Sequence, residues 1–359
     1  MNLFRFVYQM CFLNVLRIKI FFFVFLLFLS ICSCNKKSVP VERGFYYWKT
    51  TYAVSPSQKK LLQNLSVKKI YLRVFDIDWD AKLPQPIPIQ QVRFISKVDT
   101  CFHYVPVIYI ANGLFQHIGT EQLSLLAKRI SEQIEHIGSD NQFGFNELQV
   151  DCDWTESTSG KYFELLKFLK ESSHKKNRII SATIRLHQVK YAKRTGVPPV
   201  DRGMLMFYNM GKINAAASTN SIYDFQEAEK YIHFADNYSL PLDGALPLFS
   251  WGIHIRNNSV IGLVNDVSVE TVEKNNYFRT TGSSIFKTDS SFFYHGIYFL
   301  KGDELKVEEI SPDICLTAAN QLEKNIHSEQ ITVSLFDLDS LNITRYDEND
   351  LEKIFSCFN

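Results

Sequence analysis

Residues 146–158 read NELQVDCDWTEST. A run of β-type residues ends in two aspartates two positions apart, followed by a tryptophan and a threonine. Side chains alternate between the two faces of a strand. Leu148, Val150, Cys152 and Trp154 therefore share one face, and Gln149, Asp151 and Asp153 share the other. The apolar face has to meet covering helices, because a carboxylate buried there without a partner is costly. Both aspartates then point the opposite way. Cys152 reads as a small buried hydrophobe.

Outward from this strand, β-like runs alternate with amphipathic helical patterns from Arg43 onward. Strands are predicted at 44–52, 68–80, 101–113, 147–154, 178–188, 203–211, 244–253 and 330–340. Helices are predicted at 55–65 and 120–138, the second with Thr120 as N-cap and a glycine stop. Further helical patterns are SGKYFELLKFLKESS, DFQEAEKYIHFAD, SPDICLTAANQLEKNI and, closing the chain, YDENDLEKIFSCF. Residues 254–300 break the rhythm. They are rich in Asn, Ser and aromatics and read as β-hairpins inserted between strands seven and eight. Eight β-runs separated mainly by helices imply a parallel sheet of the α/β class. They fit a (β/α)8 TIM-type barrel with its site at the C-terminal strand ends. A doubly wound open sheet is the alternative, disfavoured by the lack of any G-x-G-x-x-G or phosphate loop after a strand.

The beginning of the chain reads differently. Arg5, Arg17 and Lys19 precede IFFFVFLLFLSIC, an apolar run shorter than a bilayer span needs. It ends in ICSCN, which resembles a bacterial lipobox, with Ile31 and Ser33 before the acylated cysteine. Cys34 is the expected lipidation site. Cys32 competes, but it would put Ile31 at the cleavage position, where small residues are usual. The expected organisation is a lipoprotein signal peptide over 1–33, a tether over 34–42, and a barrel over 43–359 with its insertion at about 254–300. The globular part is expected at the cell envelope, outside the cytoplasm, lipid-anchored with the outer membrane as the expected membrane. A formal net charge of +1 gives no electrostatic case for nucleic acid. The seven cysteines, at 11, 32, 34, 101, 152, 315 and 357, form no C-x-x-C pair beyond the signal region. Neither a zinc site nor a disulfide framework is indicated.

Acids mark three strand ends: Asp76 and Asp78 in VFDID, Asp151 and Asp153 in VDCDW, and Asp337 and Asp339 in LFDLD. Aspartate also begins loops and caps helices at such places, but three D-x-D pairs would share one barrel mouth. On the fifth strand Ser181, Thr183, Arg185 and His187 alternate with apolar residues and face inward. Arg185 can neutralise the nearby carboxylates, which a buried cluster needs whether or not it is catalytic. Trp48, Trp79, Trp154 and Trp251 fall near strand ends and offer flat apolar faces for stacking. Trp154 has the helix-facing phase, so Trp48 and Trp251 are the better platforms.

LQVDCDWT resembles the D-x-x-D-x-D-x-E signature on the fourth strand of the family 18 chitinase-like glycoside hydrolases. MFYN, residues 206–209, resembles the M-x-Y-D of their sixth strand. On that match Asp151 and Asp153 take the second and third acid positions, Tyr208 the tyrosine and Asn209 the last aspartate. Leu148 stands at the first acid, and Thr155 at the catalytic glutamate. Glu156 comes one residue late. The chain is also similar to uncharacterised bacterial lipoproteins with glycosidase-like barrels that carry YYWKT, Q-x-D-x-D and LFDLD in this order.

The resemblance implies a membrane-anchored, glycoside-hydrolase-like protein acting on or binding envelope or dietary glycans. Two carboxyls must flank a scissile glycosidic bond. With threonine at 155, the second would come from Asp76, Asp78, Asp337, Asp339 or Glu156, with Asp153 as base or stabiliser. Substrate-assisted cleavage would instead have Asp151 and Asp153 orient an acetamido group, with Tyr208 donating a hydrogen bond. Asn209, Arg185, His187, Trp48 and Trp251 complete the expected glycan-binding set. No cofactor or metal is expected. One alternative is a non-catalytic glycan-binding lipoprotein. Another is a metal-dependent hydrolase using aspartates with His103 and His187, although H-E-x-x-H is absent.

Overall fold

The computed structural model describes residues 41–215 and 220–358. The signal segment and Cys34 lie outside the described residues. Eight strands run parallel: β1 Val41–Tyr47, β2 Lys69–Asp80, β3 His103–Ile110, β4 Glu147–Asp151, β5 Ile179–Arg185, β6 Arg202–Met206, β7 Leu242–Pro247 and β8 Ile331–Phe336. Each pairs with the next, and β1 pairs with both β2 and β8, which closes the barrel. The open-sheet alternative is thereby excluded.

Helices cover the outside: α1 Pro56–Asn64, α2 Leu123–Asp140, α3 Ser159–His174, the short α4 Leu186–Lys190, α5 Phe225–Ile232, α6 Pro312–Glu323 and α7 Glu348–Ser356. Their starts follow from local chemistry. Ser55 and Gln58 form a capping box ahead of α1, with Pro56 in its first turn. Asp347 and Asp350 do the same for α7. In α2, Leu123, Leu126, Ala127, Ile130, Ile134 and Ile137 recur at helical spacing and are all buried. Its regular turns begin at Leu123. Thr120 opens a single 3-10 turn and supplies no side-chain cap.

The face assignment of β4 holds. Trp154 is fully buried, its ring 5.3 Å from that of Tyr162 on α3, and its Nε1 donates to the Thr195 carbonyl at 3.0 Å. On the opposite face, inside the barrel, the Tyr46 hydroxyl donates to Gln149 Oε1 at 2.6 Å, and Gln149 Nε2 donates to Ser181 Oγ at 3.3 Å. Ser181 Oγ then donates to Glu147 Oε1 at 2.6 Å, and Lys69 Nζ lies 3.2 Å from Glu147 Oε2. These side chains thus form a hydrogen-bonded polar chain inside the barrel, the condition under which buried polar groups are tolerated, while the Tyr71 hydroxyl and Ser334 Oγ are buried without a hydrogen-bond partner among the described residues.

Several strands stop sooner than the sequence pattern suggests. β5 ends at Arg185, whose N–H donates to Gln188 Oε1 at 2.8 Å as α4 begins. His187 therefore sits on α4 and not on the inward face of a strand. β7 ends at Pro247, and Ser250 starts a separate antiparallel sheet. Its strands lie in the order 259–265, 250–256, 304–309, 285–288 and 278–280, with a hairpin of Phe292–Tyr294 and Ile297–Phe299 beside it. Val264, Phe286, Phe299, Leu305 and Val307 form a small core of its own.

Candidate functional site

The C-terminal ends of the barrel strands surround a cavity of about 780 Å³. Its walls are aromatic. The Phe336 ring lies 5.3 Å from both Trp48 and Tyr208 and 5.9 Å from Phe249, which in turn lies 5.5 Å from Trp251. Such a belt offers flat apolar faces to the C–H bonds of a pyranose while the floor stays polar.

The carboxyls expected at the mouth separate into distinct environments. Asp151 is buried, accepts from Thr183 Oγ1 at 2.5 Å and lies 4.0 Å from Arg185 Nη2. Burial pushes its carboxyl above the usual range, against the opposing pull of Arg185. Asp153 is half exposed and accepts from Arg185 Nε at 2.5 Å. Arg185 itself passes 6.0 Å from the Tyr208 ring. Asp76 lines the cavity but is clamped by Arg73 through Nε at 2.7 Å and through Nη2. Asp78 is exposed and bonded to the neighbouring Trp79 N–H. Asp339 caps the short helix Ser340–Ile343 and pairs with Lys49. Glu156 is exposed on the surface, paired with Arg194 at 2.9 Å, and does not line the cavity.

Asp337 differs from all of these. It is 9% exposed, lines the cavity, and accepts from Asn342 Nδ2 at 2.6 Å. Burial raises its carboxyl to about 7; the charges of Asp339 and Asp266 add to the rise, and the Asn342 donation only partly offsets it. A carboxyl in that range can hold and donate a proton near neutrality.

Thr155 does not stand in the cavity. It is exposed at the turn before α3, where its N–H donates to Thr158 Oγ1 at 2.9 Å and its hydroxyl lies 3.0 Å from Ser157 Oγ. A glutamate placed there would extend into solvent. If the cavity is the glycan site that the sequence resemblance implies, Thr155→Glu should therefore change neither reducing-end release from oligosaccharides nor their calorimetric affinity.

Of the tryptophans, Trp48 and Trp251 line the cavity, whereas Trp79 stacks on His117 at 5.5 Å away from that lining. Tyr208 and Asn209 line it as well. His187 falls in a side pocket of about 260 Å³ shared with Asp153, Arg185, Tyr208 and Asn209, and burial holds its imidazole below the usual value. His103 begins β3, at the end of the barrel away from the mouth. The histidine pair of the metal-hydrolase alternative is therefore not brought together. Among the described residues no group of three or more His, Cys, Asp and Glu could hold a metal ion.

Sequence reasoning missed Arg73, Phe336, Asn342 and Asp266. Arg73 escaped because β2 carries an irregularity: Arg73 faces Val107 and Phe75 faces Ile108, leaving Val74 as an extra residue. Alternation puts Arg73 and Asp76 on opposite faces; the bulge puts them on the same one.

No family model and no curated protein sequence matches the chain. Solved structures do. The spore cortex-lytic enzyme SleL of Bacillus megaterium superposes with a TM-score of 0.53 at 11% identity, covering 89% of this chain and 75% of that one. A chitinase from Chromobacterium violaceum gives 0.52 at 9% identity, covering 88% and 99%. A class V chitinase from Pseudomonas fluorescens gives 0.52 at 10%, covering 87% and 98%. The fold is chitinase-like. In this chitinase-like barrel the cavity occupies the mouth formed by the C-terminal ends of the strands.

Proposed function

We propose that the protein is an envelope glycan hydrolase whose proton donor is Asp337. The observation that carries this reading is the pair of buried carboxyls, Asp151 and Asp337, lining one aromatic-belted cavity, with Asp337 held near 7. Asp337 protonates the glycosidic oxygen as its bond to the anomeric carbon breaks; Asp151, as the carboxylate oriented by Thr183 and Arg185, stabilises the positive charge that develops there, and a water then adds to that carbon and returns a proton to the Asp337 carboxylate. With Asp337 protonated, four acids (Asp76, Asp151, Asp266 and Asp339) and three cations (Lys49, Arg73 and Arg185) line the cavity, a near balance that supplies no net positive charge for acidic glycans and suits neutral or amino sugars. The chain is held outside the cytoplasm through a lipid on Cys34. In Cys34→Ser, metabolic labelling with a fatty acid should disappear; labelling lost in Cys32→Ser instead would move the site.

A second reading, a glycan-binding lipoprotein without turnover, is favoured by the engagement of Asp76, Asp153 and Asp339 with Arg73, Arg185 and Lys49. One experiment separates the two. Oligomers of N-acetylglucosamine and of glucosamine, with an oligouronate as control, are incubated with the protein from pH 5 to 9, following reducing ends and calorimetric heat. Hydrolysis that declines as pH rises through about 7 supports the enzyme reading, since Asp337 must carry its proton. Binding without cleavage selects the second reading. Neither binding nor cleavage sinks both.

A further inference from the structure

Trp251 is the first aromatic of the antiparallel sheet and also part of the cavity wall. In register it stands directly across from Glu308 on the neighbouring strand. That strand reads ELKVEE. Leu305 and Val307 enter the small core of the sheet, so Lys306 and Glu308 take the other face. Both are nevertheless buried, at 1% and 3% exposure, and they pair at 2.7 Å. A buried ion pair on a sheet face is costly unless its remaining valences are used.

On Glu308 those of Oε2 are used, while Oε1 faces Lys306 alone. Its Oε2 accepts from Trp251 Nε1 at 3.0 Å, from the Ser221 N–H at 2.9 Å and from the Ser221 hydroxyl. Burial alone would raise this carboxyl, yet Lys306, Ser221 and Trp251 together hold it below the ordinary glutamate range. Ser221 belongs to the segment that follows β6. The adjoining Ile222 carbonyl accepts from the Asn209 N–H at 2.8 Å, and Asn209 also lines the cavity. One carboxylate thus joins two walls that come from distant parts of the chain.

We infer that Glu308 is a positioning residue for ligand recognition, setting the place of the Trp251 ring relative to Asn209 across the mouth. It touches no ligand itself. The inference rests on the glycan reading above and adds to it the group that tunes affinity. The Glu308 tether should therefore govern binding and leave the chemical step, which belongs to Asp337 and Asp151, nearly untouched.

The test uses the full chain with Glu308→Gln, Ser221→Ala and the double variant Lys306→Met/Glu308→Gln, the last removing both charges together. Chitin and glucosamine oligomers serve as probes, with Kd from calorimetry, kcat and KM from reducing-end release, and melting curves for each protein. In Glu308→Gln, Kd and KM should rise about tenfold, the loss expected for hydrogen bonds to a charged acceptor, with kcat within about twofold of wild type. Ser221→Ala should shift Kd in the same direction by a smaller factor. The double variant should recover melting temperature relative to Glu308→Gln without recovering Kd, a split that a purely structural role would not give. Should Glu308→Gln fail to fold, Ser221→Ala and the double variant decide the matter. Unchanged Kd in folded variants overturns the inference alone. Absence of binding by the wild type overturns the glycan reading and this inference with it.

Discussion

Asp337→Asn should lower glycan turnover by about 10²–10⁴, the range that general acid catalysis supplies, and leave the decline of rate above neutrality absent from the residual activity. The same variant should be the more stable protein at pH 8. Asp337 keeps its proton in the folded chain up to about 7, whereas an unfolded aspartate gives it up near ~3.9. Its contribution to stability is therefore fully present below the unfolded value and is lost as pH rises to about 7. The whole of that loss is at most about 4 kcal/mol. Asparagine has nothing to ionise and can still accept from Asn342 Nδ2. Reducing-end assays and thermal melts at pH 5 and pH 8 check both halves. Wild-type activity that survives in Asp337→Asn would remove Asp337 from the proton-donor role.

Arg185→Met should destabilise the fold by roughly 3 kcal/mol at pH 8, the low end for breaking a buried ion pair, because half-exposed Asp153 is partly screened by water. Asp151 bears most of the cost. It is buried beside Thr183, and Arg185 is the cation that opposes the upward push of burial on its carboxyl. Without that cation the folded-state pKa of Asp151 rises further, so the variant loses stability as pH rises. The deficit against wild type should shrink at pH 5, where Asp151 can take up a proton. Chemical denaturation at the two pH values reads this directly. A deficit independent of pH would mean that packing of the guanidinium, and not its charge, is what matters.

The barrel was legible because its strands are flanked by strongly patterned helices and because the chain around β4 alternates apolar Leu148, Val150 and Trp154 on one face with polar Gln149 and Asp151 on the other. The mouth was legible in outline. Asp151, Asp337, Tyr208, Trp48 and Trp251 do meet in one cavity. What alternation could not show was where strands end, since that depends on hydrogen bonds such as Arg185 N–H to Gln188, and His187 was misplaced for that reason. Nor could spacing rank three D-x-D pairs. Asp78 and Asp337 look alike in sequence; one is exposed and the other buried beside further acids, and only packing distinguishes them.

The extra residue in β2 means that the charge of the cavity floor depends on backbone shape as well as on sequence. Before Val74 the odd-numbered positions face the barrel interior; after it the even-numbered ones do, as Arg73 and Asp76 in the cavity lining attest. The strand thus contains a frame shift. Ironing out the irregularity with Val74 retained would carry Ile77 into the mouth and turn Asp76 out toward the helices, exchanging a charged floor for an apolar one without any substitution, whereas losing Val74 would leave Arg73 and Asp76 on the same face. The ligand chemistry of the site is therefore tolerant of losing that one codon and sensitive to any change elsewhere that makes the backbone run straight through Val74.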